Sequence, residues 1–155
     1  MDNAAIARVL DEVASLLELR GDNPFKIRAY RNGAATVLDA GERVAALGVD
    51  RLLGLPGIGK DLAARIRELV DTGDLAIHRD LLAEFPSTLL DLLKLQGLGP
   101  KTVALLHREL GVATLDDLEQ ASLAGRLRVM KGLGAKKEQL LLRAIEEQRR
   151  FAGRH

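Results

Sequence analysis

Three short stretches of the chain share a pattern able to hold an anion. They are Leu55-Pro56-Gly57-Ile58-Gly59-Lys60, Leu95-Gln96-Gly97-Leu98-Gly99-Pro100-Lys101 and Met130-Lys131-Gly132-Leu133-Gly134-Ala135-Lys136. In each, two glycines flank one apolar residue, and a lysine follows at the start of an amphipathic segment. Glycines so placed mark backbone that turns left-handed or lies close against something else. The N–H groups of such a turn, at the positive end of a new helix, attract negative charge. A nucleic-acid phosphate fits this chemistry, and it would be met without contact to base edges. One Gly-apolar-Gly link between helices is often only a connection. Three of them in 155 residues, with matched lysines Lys60, Lys101 and Lys136, argue for a shared ligand.

Other chemistries are poorly served. There is no cysteine, so disulfides, thiolate zinc sites and thiol nucleophiles are excluded together. The histidines His78, His107 and His155 are too far apart in sequence for a metal-ligand spacing. Hydrophobic residues make up 47% and charged residues 29%, the balance of a globular domain. Aromatics are only 3%, so Leu, Ala, Val and Ile must build the core, a mix that favours helices. A net charge of +1 does not by itself announce a polyanion partner, and its distribution says more. No apolar run approaches the roughly 18 residues of a membrane span. Residues 1–20 read as an amphipathic helix, not a signal peptide, and a cytoplasmic setting is expected.

The elements that must position the turns are helical. Asn3 is expected to cap a first helix whose Ile6, Val9, Leu10, Val13, Leu16 and Leu17 recur at 3–4 spacing, with Gly21 past its end. Asn23-Pro24 gives a cap and first-turn proline to a second helix reaching about Leu38. Its apolar face would be Ile27, Tyr30, Ala34, Val37 and Leu38. Arg20, Lys26, Arg28 and Arg31 crowd this region against a single acid, Asp22. A segment from about Glu42 to Leu53 leads into the first turn, and the next helix runs to about Asp71, broken by Thr72-Gly73-Asp74. A further helix covers roughly Leu75 to Glu84; Pro86 interrupts, leaving Ser87 to cap the next one. The order then repeats: a helix from Thr88 to Lys94, the second turn, and a helix from Lys101 to Leu110. Thr114-Leu115-Asp116-Asp117 reads as a capping box. A last helix follows the third turn, from Lys136 to about Arg150. No stretch alternates β-branched residues as a strand would. The expected fold class is all-α, in two small helical subdomains at residues 1–82 and 83–155, with a third hairpin near 128–150.

Two helices joined by a Gly-apolar-Gly turn form a helix-hairpin-helix motif. Ile58, Leu98 and Leu133 would plug the three hairpins and leave the glycine amides facing outward. Binding through phosphates would be indifferent to base sequence and steeply weakened by salt. Around the third turn, Lys131, Lys136, Lys137 and Arg143 beside Glu138 also fit a solvated face, so this hairpin is either a phosphate contact or a structural one. Asp116, Asp117, Glu146 and Glu147 lie at caps and helix faces and read as solvated charge. His78 and His107 read as ordinary helix residues, and the tail with Arg149, Arg150 and Arg154 as a fraying end.

Taken together, Asn23-Pro-Phe-Lys-Ile-Arg-Ala-Tyr-Arg-Asn-Gly-Ala34, the turn Leu55–Lys60, Asp71-Thr-Gly-Asp-Leu75 and Gly97-Leu-Gly-Pro-Lys101 resemble the family-X DNA polymerases, above all the bacterial and archaeal type. The resemblance spans essentially the whole chain, in order. It implies a small lyase-type domain followed by the hairpin-containing fingers or thumb subdomain. The first hairpin, with Gly57, Gly59 and Lys60, would hold the strand downstream of a gap. The second, with Gly97, Gly99 and Lys101, would hold the primer strand, and Gly132, Gly134 and Lys136 would add a third contact. Each family hairpin also takes a monovalent cation, Na+ or K+, on main-chain carbonyls; the matching positions are Leu53, Leu55 and Ile58, and Leu93, Leu95 and Leu98. Lys26 matches a lysine in the family's pocket for the downstream 5′-phosphate, Tyr30 a tyrosine beside it, and Arg65 is counted among the DNA contacts. From the residues alone, Lys26 also fits a solvated helix face, and Tyr30 a core residue with its hydroxyl at the surface.

Two departures bound the resemblance. Family members with deoxyribose-phosphate lyase activity use a lysine amine to form a Schiff base, and that position is Arg65 here, with Asp61 replacing a nearby lysine. Arginine stays protonated and cannot attack as an amine, which leaves Lys60 and Lys26 as lyase candidates. Polymerisation needs a palm whose carboxylates hold two Mg2+ or Mn2+ ions, and no Asp-x-Asp pair occurs in these residues. The reading is a monomeric module that binds gapped, nicked or 5′-phosphorylated DNA without sequence preference, as in base-excision-repair gap filling. A lyase in its own right and a helical protein-interaction module are the alternatives.

Overall fold

The computed structural model describes residues 1–152, with α-helices, one 3₁₀ turn and no strand among them. Arg154 and His155 lie outside the described residues. Two compact units meet in sequence between Phe85 and Pro86. The first holds α1 (Asn3–Arg20), α2 (Pro24–Asp39), a 3₁₀ turn at Val44–Ala46, α3 (Val49–Leu53), α4 (Lys60–Thr72) and α5 (Ala76–Glu84). The second holds α6 (Thr88–Leu92), α7 (Pro100–Leu110), α8 (Leu115–Leu123) and α9 (Ala135–Ala152). No described helix is long and apolar enough to cross a membrane.

In the first unit α1 is the core helix, burying Ile6, Leu10, Val13, Leu16 and Leu17 completely. Asp2, not Asn3, caps it, accepting from the Ala5 N–H at 2.8 Å. A carboxylate at that end also meets the helix dipole. Asn3 is thereby free to tie down the loop before α3, donating to the Glu42 carbonyl at 2.9 Å and accepting from the Val44 N–H at 3.0 Å. Past the other end, Gly21 and Asp22 return N–H groups to the Glu18 and Leu17 carbonyls, a Schellman closure that needs the φ of 74° at Gly21.

Asn23 caps α2 as its sequence suggests, with Pro24 in the first turn. Tyr30, Ala34 and Val37 are buried, whereas Leu38 is 56% exposed, so the apolar stripe of α2 is narrower than expected. Gly33 is buried too, and a Cβ there would lie 2.2 Å from the Leu62 side chain, so α2 and α4 meet through the glycine. Arg31, counted with the basic cluster, is a bracket between α2 and α1: its guanidinium reaches the Asp11 carbonyl at 3.2 Å, Ser15 Oγ at 3.0 Å and Glu18 at 2.8 Å. His78, read as an ordinary helix residue, lies in α5, and its Nε2 is 2.8 Å from Glu12, which links α5 to α1.

The second unit closes over Leu89, Leu92, Val103, Leu106, Leu118, Leu127, Leu141 and Ile145. Ser87 makes no capping bond to α6, because it already has helical dihedrals. Helix α6 stops at Leu92, and Leu95 then bonds back to the Leu92 carbonyl in a tighter turn. Half of the capping box forms: Thr114 accepts from the Asp117 N–H at 3.0 Å, while Asp117 accepts from the Ala113 N–H, one residue before the cap, at 3.0 Å. Asp116 is not simply solvated but pairs with Arg149, which also holds Glu119 at 2.7 Å. That fork joins α9 to α8, so the segment read as a fraying end is helical through Ala152. His107 is also engaged, with Nδ1 3.1 Å from the Val112 carbonyl.

Candidate nucleic-acid interface

The three turns have one backbone. The carbonyls of Leu55, Leu95 and Met130 accept from the N–H of Ile58, Leu98 and Leu133 at 3.3, 3.3 and 3.1 Å. The third residue of each is left-handed, with φ of 77° at Gly57, 92° at Gly97 and 86° at Gly132, and no other residue type adopts positive φ among the described residues. This is the type II form, and it demands glycine at that one position.

The second glycine has a different reason to be there. Gly59 and Gly99 have φ of −90° and −99° with extended ψ, values open to any residue. A Cβ added at Gly59, Gly99 or Gly134 would meet nothing within 4 Å. Nothing inside the fold therefore calls for glycine at these positions. Each one opens a helix, its carbonyl accepting from the N–H of Ala63, Val103 or Glu138 at 2.9, 3.0 and 2.9 Å. No side chain caps α4 or α7, in contrast to α1, α2 and α8. The first-turn N–H groups of Lys60, Asp61 and Leu62, and of Lys101 and Thr102, thus meet no acceptor among the described residues. The plug works best in the first two hairpins: Ile58 and Leu98 are 5% and 7% exposed, while Leu133 is only half-buried.

Lysines and arginines divide their work. Arg20, Arg31, Arg51, Arg65, Arg67, Arg79, Arg128 and Arg149 all sit in ion pairs. Apart from Lys94, which lies 3.6 Å from Asp91, no lysine is ion-paired among the described residues. The free ones are Lys26 near the start of α2, and Lys60, Lys101, Lys131, Lys136 and Lys137 at the three turns. The unpaired lysines thus lie at the three turns and at the start of α2; Arg8, Arg28, Arg43, Arg126 and Arg143 also have no ion pair among the described residues.

Lys26, Tyr30 and Arg65 come together. They line a pocket of about 350 Å³ with Arg20, Asp61 and Asp80, and with Leu81 in its wall. Tyr30 is 2% exposed, and its hydroxyl is buried without a hydrogen-bond partner, so the surface hydroxyl expected from the sequence does not occur. Burial pushes its phenol pKa up. Arg65 is held by Glu68 at 2.8 Å and Asp61 at 3.6 Å, and the Glu68 hydrogen bond raises its pKa further. Glu68 accepts in addition from the Ala76 N–H at 2.7 Å, which draws its own pKa down. Lys60 does not line this pocket.

The carbonyls matched to a cation site are free to serve as ligands. Those of Leu55 and Leu95 accept one turn bond each, and those of Leu53, Ile58, Leu93 and Leu98 accept none outside the helices among the described residues. Glu138, read as part of a solvated face, is 2% exposed. It accepts from the Arg128 N–H at 3.1 Å and from its guanidinium at 2.7 Å, and the guanidinium holds its carboxyl below the ordinary range. This pair fixes the incoming arm of the third turn, where no α-helix precedes the hairpin. Only its distance from Arg128, ten positions away, hid Glu138 from the sequence.

Two helical units, each carrying Gly-apolar-Gly hairpins, define a helix-hairpin-helix protein. Residues 1–75 match a helix-hairpin-helix domain family, and residues 89–147 match a SAM-like helix-hairpin-helix tandem. Over these helix-hairpin-helix segments the chain is similar to part of a family-X DNA polymerase. It is 37% identical over 147 residues to a DNA polymerase/3′-5′ exonuclease PolX of Bacillus subtilis (strain 168), an alignment covering 95% of this chain and 25% of that protein. It therefore spans about a quarter of the length of the curated relative it matches.

Proposed function

We propose that the chain binds DNA through backbone phosphates, without reading bases, at gaps or nicks filled by a family-X repair polymerase in base excision repair. One observation carries this reading: the turns place a glycine that the fold does not require at the mouth of uncapped amides, beside an unpaired lysine. A side chain there would obstruct an incoming phosphate. The pocket lined by Lys26, Tyr30 and Arg65 suits a terminal 5′-phosphate, which the unpaired Lys26 can hold. A Na+ or K+ ion on the carbonyls of Leu53, Leu55 and Ile58, and of Leu93, Leu95 and Leu98, would lower the repulsion between phosphate and carbonyl oxygens. The lyase reading narrows to Lys26, since Arg65 offers no amine and Lys60 lies off the pocket. Borohydride treatment with abasic DNA is expected to yield no covalent adduct.

The test is an anisotropy titration against a gapped duplex with a 5′-phosphate, the same duplex with a 5′-hydroxyl, and intact duplex. The phosphorylated gap should bind tightest, base sequence should change affinity by no more than about twofold, and affinity should fall steeply with salt. Equal affinity for all three duplexes would remove the gap and 5′-phosphate assignments. No binding at low salt would remove the DNA reading itself.

A further inference from the structure

Beside the second turn lies a groove of about 510 Å³ that the turns do not account for. Gln96 and Gly97 form its wall on the turn side, and α9 forms the other. From α9, Leu140, Leu141 and Ala144 contribute an apolar surface between the cations Lys137 and Arg143, with Glu147 beyond them. Leu140 is 53% exposed, and neither Lys137 nor Arg143 is ion-paired among the described residues. The groove thus offers apolar surface, two uncompensated positive charges, and an edge continuous with the open backbone of Gly97.

We propose that this groove holds the sugar–phosphate backbone of the DNA strand gripped by the second turn. Lys137 and Arg143 then contact two further phosphates of that strand. Resting on the DNA reading of the turn, the assignment adds α9 to the interface and gives Lys137 and Arg143 to the second hairpin, not to the third. The chemistry matches along the groove. Deoxyribose faces lie on the leucines and Ala144, and the phosphates on either side meet the cations. Six residues of helix separate Lys137 from Arg143, about 9 Å along the axis, so two long side chains can serve two phosphates of one strand. The Glu147 carboxylate repels phosphate and sets the limit of the contact.

The test compares Lys137→Ala/Arg143→Ala with a control pair of equal charge, Arg108→Ala/Arg126→Ala. Both control positions lie at the other end of α7: Arg108 in its last turn, and Arg126 lining a hollow with Gly111. On gapped duplex the groove pair should weaken binding about tenfold or more and reduce the salt slope by about two. The control pair should change affinity by no more than about twofold. Leu140→Glu, at a half-open position that tolerates a charge, should weaken binding with its circular dichroism spectrum unchanged. Gly99→Asp, run alongside, separates the two levels of the claim. If the groove pair behaves like the control while Gly99→Asp loses binding, the groove assignment is wrong and the turn reading stands. If none of these variants alters binding, both fall. Unchanged DNA affinity with altered self-association of the groove pair in sedimentation would make the groove a contact between copies, and would also overturn the proposal.

Discussion

The first two hairpins share a backbone and differ in what surrounds it. The first is braced from the side: Thr36 of α2 donates to the Pro56 carbonyl at 2.8 Å, and a Cβ at Gly57 would sit 4.0 Å from Asn32. Its unit also holds a pocket over a buried, unsatisfied hydroxyl. The second has Gln96 in place of the proline, no side-chain hydrogen bond to its turn among the described residues, and a groove of about 510 Å³ along α9. The first unit brings Lys26 and Arg65 to one pocket of about 350 Å³, which suits the end of a strand. The groove along α9 sets Lys137 and Arg143 about 9 Å apart along the helix axis, which suits a strand that continues. The same phosphate-holding loop therefore takes different DNA features according to its neighbours.

Several changes would break or sharpen that comparison, and the largest effect is expected at Lys26. Lys26→Ala should abolish the preference for a 5′-phosphate over a 5′-hydroxyl in anisotropy, while Lys101→Ala, at the second hairpin, should weaken both duplexes equally. Tyr30→Phe should leave that preference in place and raise stability by about 1 kcal/mol or more in chemical denaturation, since it removes a buried polar atom without a partner. A loss of stability would mean that the hydroxyl is bonded in the free protein. Within one turn, Gly57→Ala should cost about 1 kcal/mol through its positive φ, and Gly59→Ala nearly nothing, yet both should weaken DNA binding. Thr36→Val should destabilise the first unit by about 1 kcal/mol through its lost hydrogen bond.

The smallest effect concerns the third hairpin and depends on pH. The Glu138 pKa is held below its ordinary 4.5 by Arg128, so its contribution to stability is complete above that value. As pH falls through the lower folded pKa, the contribution is lost. Thermal melts of the protein and of Glu138→Gln should differ by a constant amount near neutrality and converge in acid. A gap that never narrows as the pH falls would show that the carboxylate charge is not what holds Arg128.

The all-α architecture and the turns were legible because their signals are local. Apolar residues recur at helical spacing, and glycine and proline mark the breaks. Contacts between residues distant in sequence were not legible. His78 meets Glu12 across the first unit, and Asp116 pairs with Arg149 in the second. Gly33 gave no sign of being the point where Leu62 approaches. Asp2 and Asn3 are both good caps, and only the loop around Val44 decides between them. For the site, the pattern located the turns but could not show which glycine the fold needs. Gly57 and Gly97 are fixed by dihedral angle, while a Cβ at Gly59 or Gly99 would meet nothing among the described residues.

That last distinction gives the most direct test. Gly59→Asp and Gly99→Asp place a good helix cap on the open amides, at dihedral angles aspartate adopts freely. Thermal melts and DNA titrations of the same samples should move in opposite directions. Stability should be unchanged or higher by a few tenths of a kcal/mol, and affinity for gapped DNA should fall by about tenfold or more. Variants that keep their affinity with the amides capped would contradict the claim that these turns hold phosphate.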